Sequence, residues 1–482
     1  MVALPRLMVA APASGHGKTT VATGLMAALA RAGHTVSGHK VGPDYIDPGY
    51  HALATGRPGR NLDPHLVGEE RLVPLLLHGA AGADVAVIEG VMGLYDGQIG
   101  GDGFASTAHV AAVTRTPVVL VVDISSASRT IAATIHGLMT WAPDPSQPPV
   151  DVVGVILNKA GSPRHAEEVV RSIGDRVPVL GVLQRDAGIE APSRHLGLVP
   201  AAERDDAAAA LDRLAGQISQ AVDLEQVVRL AAAAPSLGEA PWDPGVVHRE
   251  MAAKTALVRP EPGGLPGQKA VIAVAAGRAF TFRYAETVEL LQAAGAEVVD
   301  VDPLTDTELP EGTSGLYLGG GFPEMHATDL GANESLRRDL RGAIQRGLPT
   351  VAECAGLLYL CRTVAGPSGQ PAEMVGAIPV DATMAPRLTL SYRTMRAVGH
   401  DLLSRPGEEV TGHEFHRTHL VGDPGGQPAW WVTGADAPVP AGVATRSLHA
   451  SYLHVHWAGH PHLAARFTAA AGAAVPATAA LR

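Results

Sequence analysis

Two cysteines in 482 residues, Cys354 and Cys361, are too few for a disulfide framework and suit a reducing compartment. No apolar run approaches the ~20 residues that a membrane-spanning helix needs. The short apolar stretch near the N-terminus leads into a glycine turn and not into a cleavage site. The expectation is a cytoplasmic protein with no membrane partner. A basic block is also missing. The formal net charge is −11, which argues against a nucleic-acid partner but leaves room for an anion held by local donors. Aromatic residues make up only 4%, so Ala, Val and Leu must fill the cores.

What is present fits a large α/β protein. Hydrophobic residues make up 46% and charged ones 18%, and the length predicts at least two domains. The chain is organised around residues 7–20. An apolar run from Leu7 to Ala11 reads as a buried strand, Ala13 to Gly17 as a tight turn, and Lys18-Thr19-Thr20 as a helix start. Such a turn cradles phosphates. Ser14, Gly15, His16 and Gly17 offer backbone N–H groups, Lys18 reaches the outer phosphates, and Thr19 can ligate Mg²⁺, with Thr20 beside it. The usual pattern has glycine at position 12, where this chain has Pro12.

Strands are predicted at 7–11, 35–40, 84–89, 117–123, 151–158 and 178–183, with helical patterns between them. Their near-continuous apolar character predicts a doubly wound, mostly parallel sheet with ligands at the carboxyl ends of the strands. Those ends carry Asp44, Asp47 and Glu89, read with Thr19 as Mg²⁺ ligands. The competing reading is that the acids cap helices. Asn158-Lys159 ends another strand, and Asn158 is a candidate reader of a purine edge.

Four stretches then resemble one family. They are Gly42-Pro43-Asp44-Tyr45-Ile46-Asp47-Pro48, the run from Glu89 to Gly97, Asn158 to His165, and Pro192 to Pro200. In this order they resemble the cobyrinic acid and hydrogenobyrinic acid a,c-diamide synthases, the glutamine-dependent amidases of cobalamin synthesis. The nucleotide half of that family is similar to dethiobiotin synthetase and, more distantly, to the cell-division ATPases. Those ATPases have a signature lysine where this chain has Ala13.

From Ala231 to Gln268 the pattern fades into Ala, Pro and Gly. The expected division is a P-loop domain over 1–235, a linker over 236–268 and a second α/β domain over 269–482. In the latter, a strand ends at Gly319-Gly320-Gly321, and another, over 349–352, runs into Cys354 and a helix. Strand, nucleophile and helix make a nucleophile elbow, where the helix N-terminus favours a thiolate. Cys361 falls on an apolar helix face and reads as core. The elbow resembles that of the class I glutamine amidotransferases, although the cobalamin variant usually has glycine where this chain has Ala355. The resemblance implies oxyanion donors at the Gly320 and Ala355 N–H groups. It implies His454, in Tyr452-Leu453-His454, as the base beside Cys354, with His456 as runner-up. Ordinary amidotransferases have Glu at the position of His456, so a Cys–His dyad is expected. His413-Glu414-Phe415-His416 has the wrong spacing for a zinc-protease site.

The family implies that L-glutamine supplies nitrogen, that ATP with Mg²⁺ activates a carboxylate, and that the acceptor is a corrin amidated on its a and c acetates. Ammonia is expected to travel internally. Arg129, Arg194 and Arg283 are candidate substrate contacts, each also readable as an ordinary surface arginine. A homodimer is left open. The alternatives are a related amidoligase acting on another corrin or tetrapyrrole, such as the cobyric acid synthase reaction, or a regulatory P-loop ATPase with a relic amidase domain.

Overall fold

A computed structural model describes residues 1–142, 149–185, 193–194, 197–204, 206–255, 269–433 and 438–474. The chain divides into two compact units, Met1–Trp242 and Asp243–Arg482. The segment expected as a linker contains a helix, Pro244–Thr255. In the motif over 192–200, residues 192, 195 and 196 lie outside the described residues, and Ser193–Arg194 pairs antiparallel with Gly197–Leu198.

The first unit is built on seven parallel strands: β1 Arg6–Ala10, β2 Val36–Val41, β3 Arg60–Leu62, β4 Val85–Glu89, β5 Val118–Asp123, β6 Val152–Ala160 and β7 Val179–Gln184. Their order is β3-β2-β4-β1-β5-β6-β7. The central strands are buried on both faces, as their unbroken Val, Ile and Leu content requires. β1 lies between β4 and β5, so the loop after β1 opens between strands whose connections diverge. Helix α1 (Lys18–Arg31) follows that loop, and α2 (Ile46–Thr55) follows β2. Leu25, Met26 and Leu29 of α1 pack into the core under Val87, Val119 and Ile156.

The second unit has a six-stranded sheet and a second, mostly antiparallel one. The first runs Glu297–Val301, Val271–Ala275, Thr313–Leu318, Thr350–Glu353, Leu448–Ser451 and Val443–Ala444, parallel except for the last pair. The other is dominated by two long strands, Asp381–Ala397 and Glu409–Val421. The sequence alone predicts no strands there. Their alternation is weak because both carry polar residues on both faces, and a register shift between Met384 and Thr389 breaks the period. The short strand His454–Val455 pairs with Glu409–Val421, setting His454 opposite His413.

Candidate active site

The phosphate cradle forms as a strand, a turn and a helix. Gly15 and Gly17 have φ of 84° and 91°, where side-chain-bearing residues are strained. A Cβ on Gly17 would also lie 2.3 Å from Asn158 Nδ2. The segment after β4 packs tightly against the turn at Pro12. Leu94 N–H donates to Ala11 O (2.8 Å), and a Cβ on Gly93 would come within 2.4 Å of Asp96 Oδ2 and 2.6 Å of Pro12 O. Lys18 donates to the carbonyls of Ala13 (3.3 Å) and Met92. Burial, aided by the charge of Lys40, lowers its ammonium to about 8.

Asn158 braces the turn. Its amide nitrogen donates to His16 O (2.9 Å) and its oxygen accepts from Lys159 N–H (2.9 Å). Two further braces had no sequence signal beyond lying at strand ends. Lys159 joins Asp123 (3.0 Å) to Gly15 O (2.9 Å), and the Asp123 N–H donates to His16 Nδ1 (2.9 Å).

Beneath the cradle lies a buried charge cluster. The Thr19 hydroxyl donates to Glu89 Oε1 (2.6 Å), with Asp47 Oδ2 at 3.3 Å. Lys40 Nζ sits between Asp47 (2.8 Å) and Glu89 (2.9 Å), and also donates to Gly90 O (2.8 Å). His51 Nε2 meets the other Glu89 oxygen at 2.7 Å. Burial alone would raise the Glu89 carboxyl, but Lys40, His51 and Thr19 hold it well below the ordinary range. Asp47 is pushed up by burial and by the charges of Asp44 and Glu89. The sequence reading missed Lys40 and His51 as members of this cluster, since nothing in sequence order shows which acids they meet.

Asp44, expected as a metal ligand, shapes the start of α2 through one oxygen: its Oδ1 accepts the N–H groups of Ile46 (2.7 Å) and Asp47 (3.1 Å). Among the described residues no three His, Cys, Asp or Glu side chains form a metal-holding group. The oxygens that do converge, from Thr19, Asp47 and Glu89, make a partial, hard donor set of the kind Mg²⁺ shares with phosphates and water.

In the second unit, Cys354 stands between the strand Thr350–Glu353 and the helix Ala355–Leu360 with φ 49° and ψ −98°. This strained turn is the elbow the sequence predicts. Gly356 behind it is required, because a Cβ would lie 2.2 Å from Leu318 O. The Cys354 thiol donates to Phe415 O (3.7 Å). The expected lowering of this thiol is not found. Burial pushes it far up, as do Glu324, Glu353 and Glu414, and the opposing hydrogen bond from the Ala355 N–H is outweighed. His454 is fully buried and brought down to about 3 by burial, then by the charge of His416. Its ring stacks on His413 at 4.9 Å.

The Gly320 N–H, expected to donate to an oxyanion, donates here to Phe282 O (3.0 Å), and its carbonyl accepts from Phe282 N–H (3.1 Å). A Cβ at Gly320 would lie 2.4 Å from His454 Cε1, so this glycine makes room for the imidazole. His456 meets Glu286 (3.6 Å) and lies tilted against Tyr284, with ring centroids 4.1 Å apart. Cys361 lies just past the end of the short helix, buried, with its thiol on Leu357 O (3.3 Å). Arg129 pairs with Glu168 (3.3 Å) and Arg283 with Asp300 (3.0 Å). The Arg194 side chain lies outside the described residues.

Comparison with known proteins agrees with this arrangement along the whole chain. Residues 7–199 match the CobQ/CobB/MinD/ParA nucleotide binding domain, and residues 271–462 match the CobB/CobQ-like glutamine amidotransferase domain. A protein of Thermobifida fusca named hydrogenobyrinate a,c-diamide synthase is 54% identical over 97% of both chains. One of the same name from Streptomyces coelicolor is 53% identical over 96% of this chain and 97% of its own. A cobyrinate a,c-diamide synthase of a Synechococcus strain is 39% identical over 96% of this chain and 97% of its own. With a phosphate cradle in one unit, a cysteine elbow in the other and full-length similarity to these enzymes, the chain belongs to the a,c-diamide synthase family of glutamine-dependent amidotransferases.

Proposed function

We propose that this protein uses ATP and glutamine to amidate the a and c acetate carboxylates of hydrogenobyrinate, the metal-free corrin, in cobalamin biosynthesis. The observation that carries the substrate is the ordering of its relatives. Those at 54% and 53% identity are named for hydrogenobyrinate, and those at 39–40% for cobyrinate. No helix among the described residues is long and apolar enough to cross a membrane. A cytoplasmic location accompanies this reading, since ATP and glutamine are drawn from that pool.

Glutamine hydrolysis is assigned to Cys354 and His454. His454 takes the thiol proton as sulfur attacks the side-chain amide, then returns it to the departing ammonia, and water releases glutamate from the thioester. The Ala355 N–H, already directed at the sulfur, faces the developing oxyanion. In the other unit a substrate carboxylate attacks the γ-phosphorus of ATP, ADP leaves, and an acyl phosphate forms. Ammonia then attacks the acyl carbon and phosphate departs. Lys18 stabilises the transferred charge. Bound Mg²⁺ would neutralise the phosphate oxygens, with Thr19, Asp47 and Glu89 as its protein oxygens.

The test supplies glutamine, ATP·Mg²⁺ and either hydrogenobyrinate or cobyrinate. Glutamate, ADP and new amide should appear in equal amounts, with the metal-free corrin turned over faster. Faster turnover of cobyrinate would reverse the substrate assignment.

Two glycine substitutions separate the chemistries. Gly17→Ala places a Cβ against Asn158 in a left-handed turn, strain of about 1–3 kcal/mol. ATP affinity, read by calorimetry, should fall by about ten-fold or more, while glutamine hydrolysis persists. Gly320→Ala displaces His454. Glutamate release should fall by about a hundred-fold, and synthesis from added ammonia should remain.

A further inference from the structure

The mechanism above leaves unused a buried acid that adjoins the nucleophile in the chain. Glu353 is the residue immediately before the nucleophile, at the end of the strand Thr350–Glu353, and only 6% exposed. Three donors converge on its carboxyl group. Trp457 Nε1 donates at 3.2 Å, the Tyr317 hydroxyl at 3.1 Å, and the backbone N–H of Val455 also donates. Tyr317 and Trp457 are themselves fully enclosed and meet edge-to-face at 5.4 Å. Val455 directly follows His454, and Trp457 lies three residues beyond it.

We infer that Glu353 is a positioning residue for glutamine hydrolysis, tying the strand end that carries Cys354 to the backbone that carries His454. The inference rests on the assignment of those two residues as nucleophile and base.

The geometry gives the tether its specificity. Cys354 and His454 belong to different sheets. Cys354 extends a strand paired with Leu448–Ser451, where its N–H donates to Ser451 O (2.8 Å). His454 belongs to a two-residue strand paired with Glu409–Val421. Between Ser451 and His454 the chain leaves one sheet for the other, and backbone pairing does not continue across the change. Glu353 spans it from the nucleophile's side, with the Val455 N–H and the Trp457 indole, on either side of His456, as its partners there. The carboxylate that could orient the base from two residues further along is absent, because His456 stands there and is directed to Glu286 at 3.6 Å. Glu353 does not touch the reacting atoms, and its effect passes through the placement of the two residues that do.

The tether predicts a split between catalytic constants. A displacement on the order of 1 Å between reacting groups costs up to about a hundred-fold in rate. In Glu353→Ala, kcat for glutamine hydrolysis should therefore fall by about ten- to a hundred-fold. KM for glutamine and synthesis from ammonia should stay near the parent values. Glu353→Gln keeps the side chain's shape and a carbonyl acceptor for Trp457, and the Tyr317 hydroxyl can turn to accept from its amide, so this variant should recover most of kcat. Trp457→Phe removes one donor and keeps the ring, and should show a smaller fall of the same kind. These two variants carry the test if Glu353→Ala does not fold.

Several results overturn the inference. One is an unchanged kcat in Glu353→Ala. Another is a parallel loss of ammonia-dependent synthesis. A third is a rise in glutamine hydrolysis, which would mean that the acid acts by repelling the thiolate. Cys354→Ala is assayed beside them. If it still hydrolyses glutamine, the nucleophile assignment itself is wrong. If it is inactive while Glu353→Ala and Trp457→Phe run at full rate, only the tether fails.

Discussion

Cys354→Ala should abolish amidation from glutamine and leave amidation from ammonium salts near the parent rate, measured on the same corrin. The loss is expected to be complete within detection, because the thioester cannot form without the sulfur. The retained activity follows from the structure of the other half. The P-loop, the Lys40 cluster and their braces all lie within Met1–Trp242 and use no residue of the elbow. A variant that loses both activities while folded would show that the two chemistries do not have separate sites.

Lys40→Met should have the largest effect on stability. Lys40 is the only cation among the described residues placed within ion-pairing distance of both Asp47 and Glu89, and all three are buried. Burial alone would favour its neutral form, but Asp47, Glu89 and Asp44 hold it firmly protonated. Removing it leaves two acids facing each other in a dry interior, a loss of about 3–5 kcal/mol. Urea unfolding of the full chain should show an earlier transition, and ATP-dependent synthesis should be lost. Lys40→Met/Asp47→Asn removes one charge of each sign. It should regain most of the stability without regaining synthesis, and equal destabilisation in the double variant would argue against charge compensation. The Glu89 contribution has a defined pH window. Its folded carboxyl lies below its ordinary value, so that stability is present above about 4.3 and is lost as pH falls toward the folded value.

Much of this arrangement is legible in residue order, for identifiable reasons. Strands buried on both faces write themselves as runs such as Val118-Val119-Leu120-Val121-Val122, and the predicted strands of the first unit fall within a residue or two of the observed ones. The elbow is legible because a strand, a small-residue turn and a helix surround Cys354 closely in the chain. Partnerships across long separations are not legible. Lys40 and Glu89 are 49 residues apart, and only the β2–β4 pairing makes them neighbours. The three consecutive glycines at 319–321 signal a tight approach without saying to what, and the approach at Gly320 is to an imidazole 134 residues later in the chain. The direction of the Cys354 shift also escapes sequence. The helix start argues for a thiolate, whereas the enclosure of the sulfur and the three acids around it are properties of the folded chain.

The Cys354 sulfur is enclosed, with the residue 3% exposed and its thiol held on Phe415 O. Oxidation of a cysteine depends on access as well as on thiolate character. Peroxide added to the resting protein should therefore abolish glutamine hydrolysis slowly, and a rapid loss would show that the elbow opens without substrate.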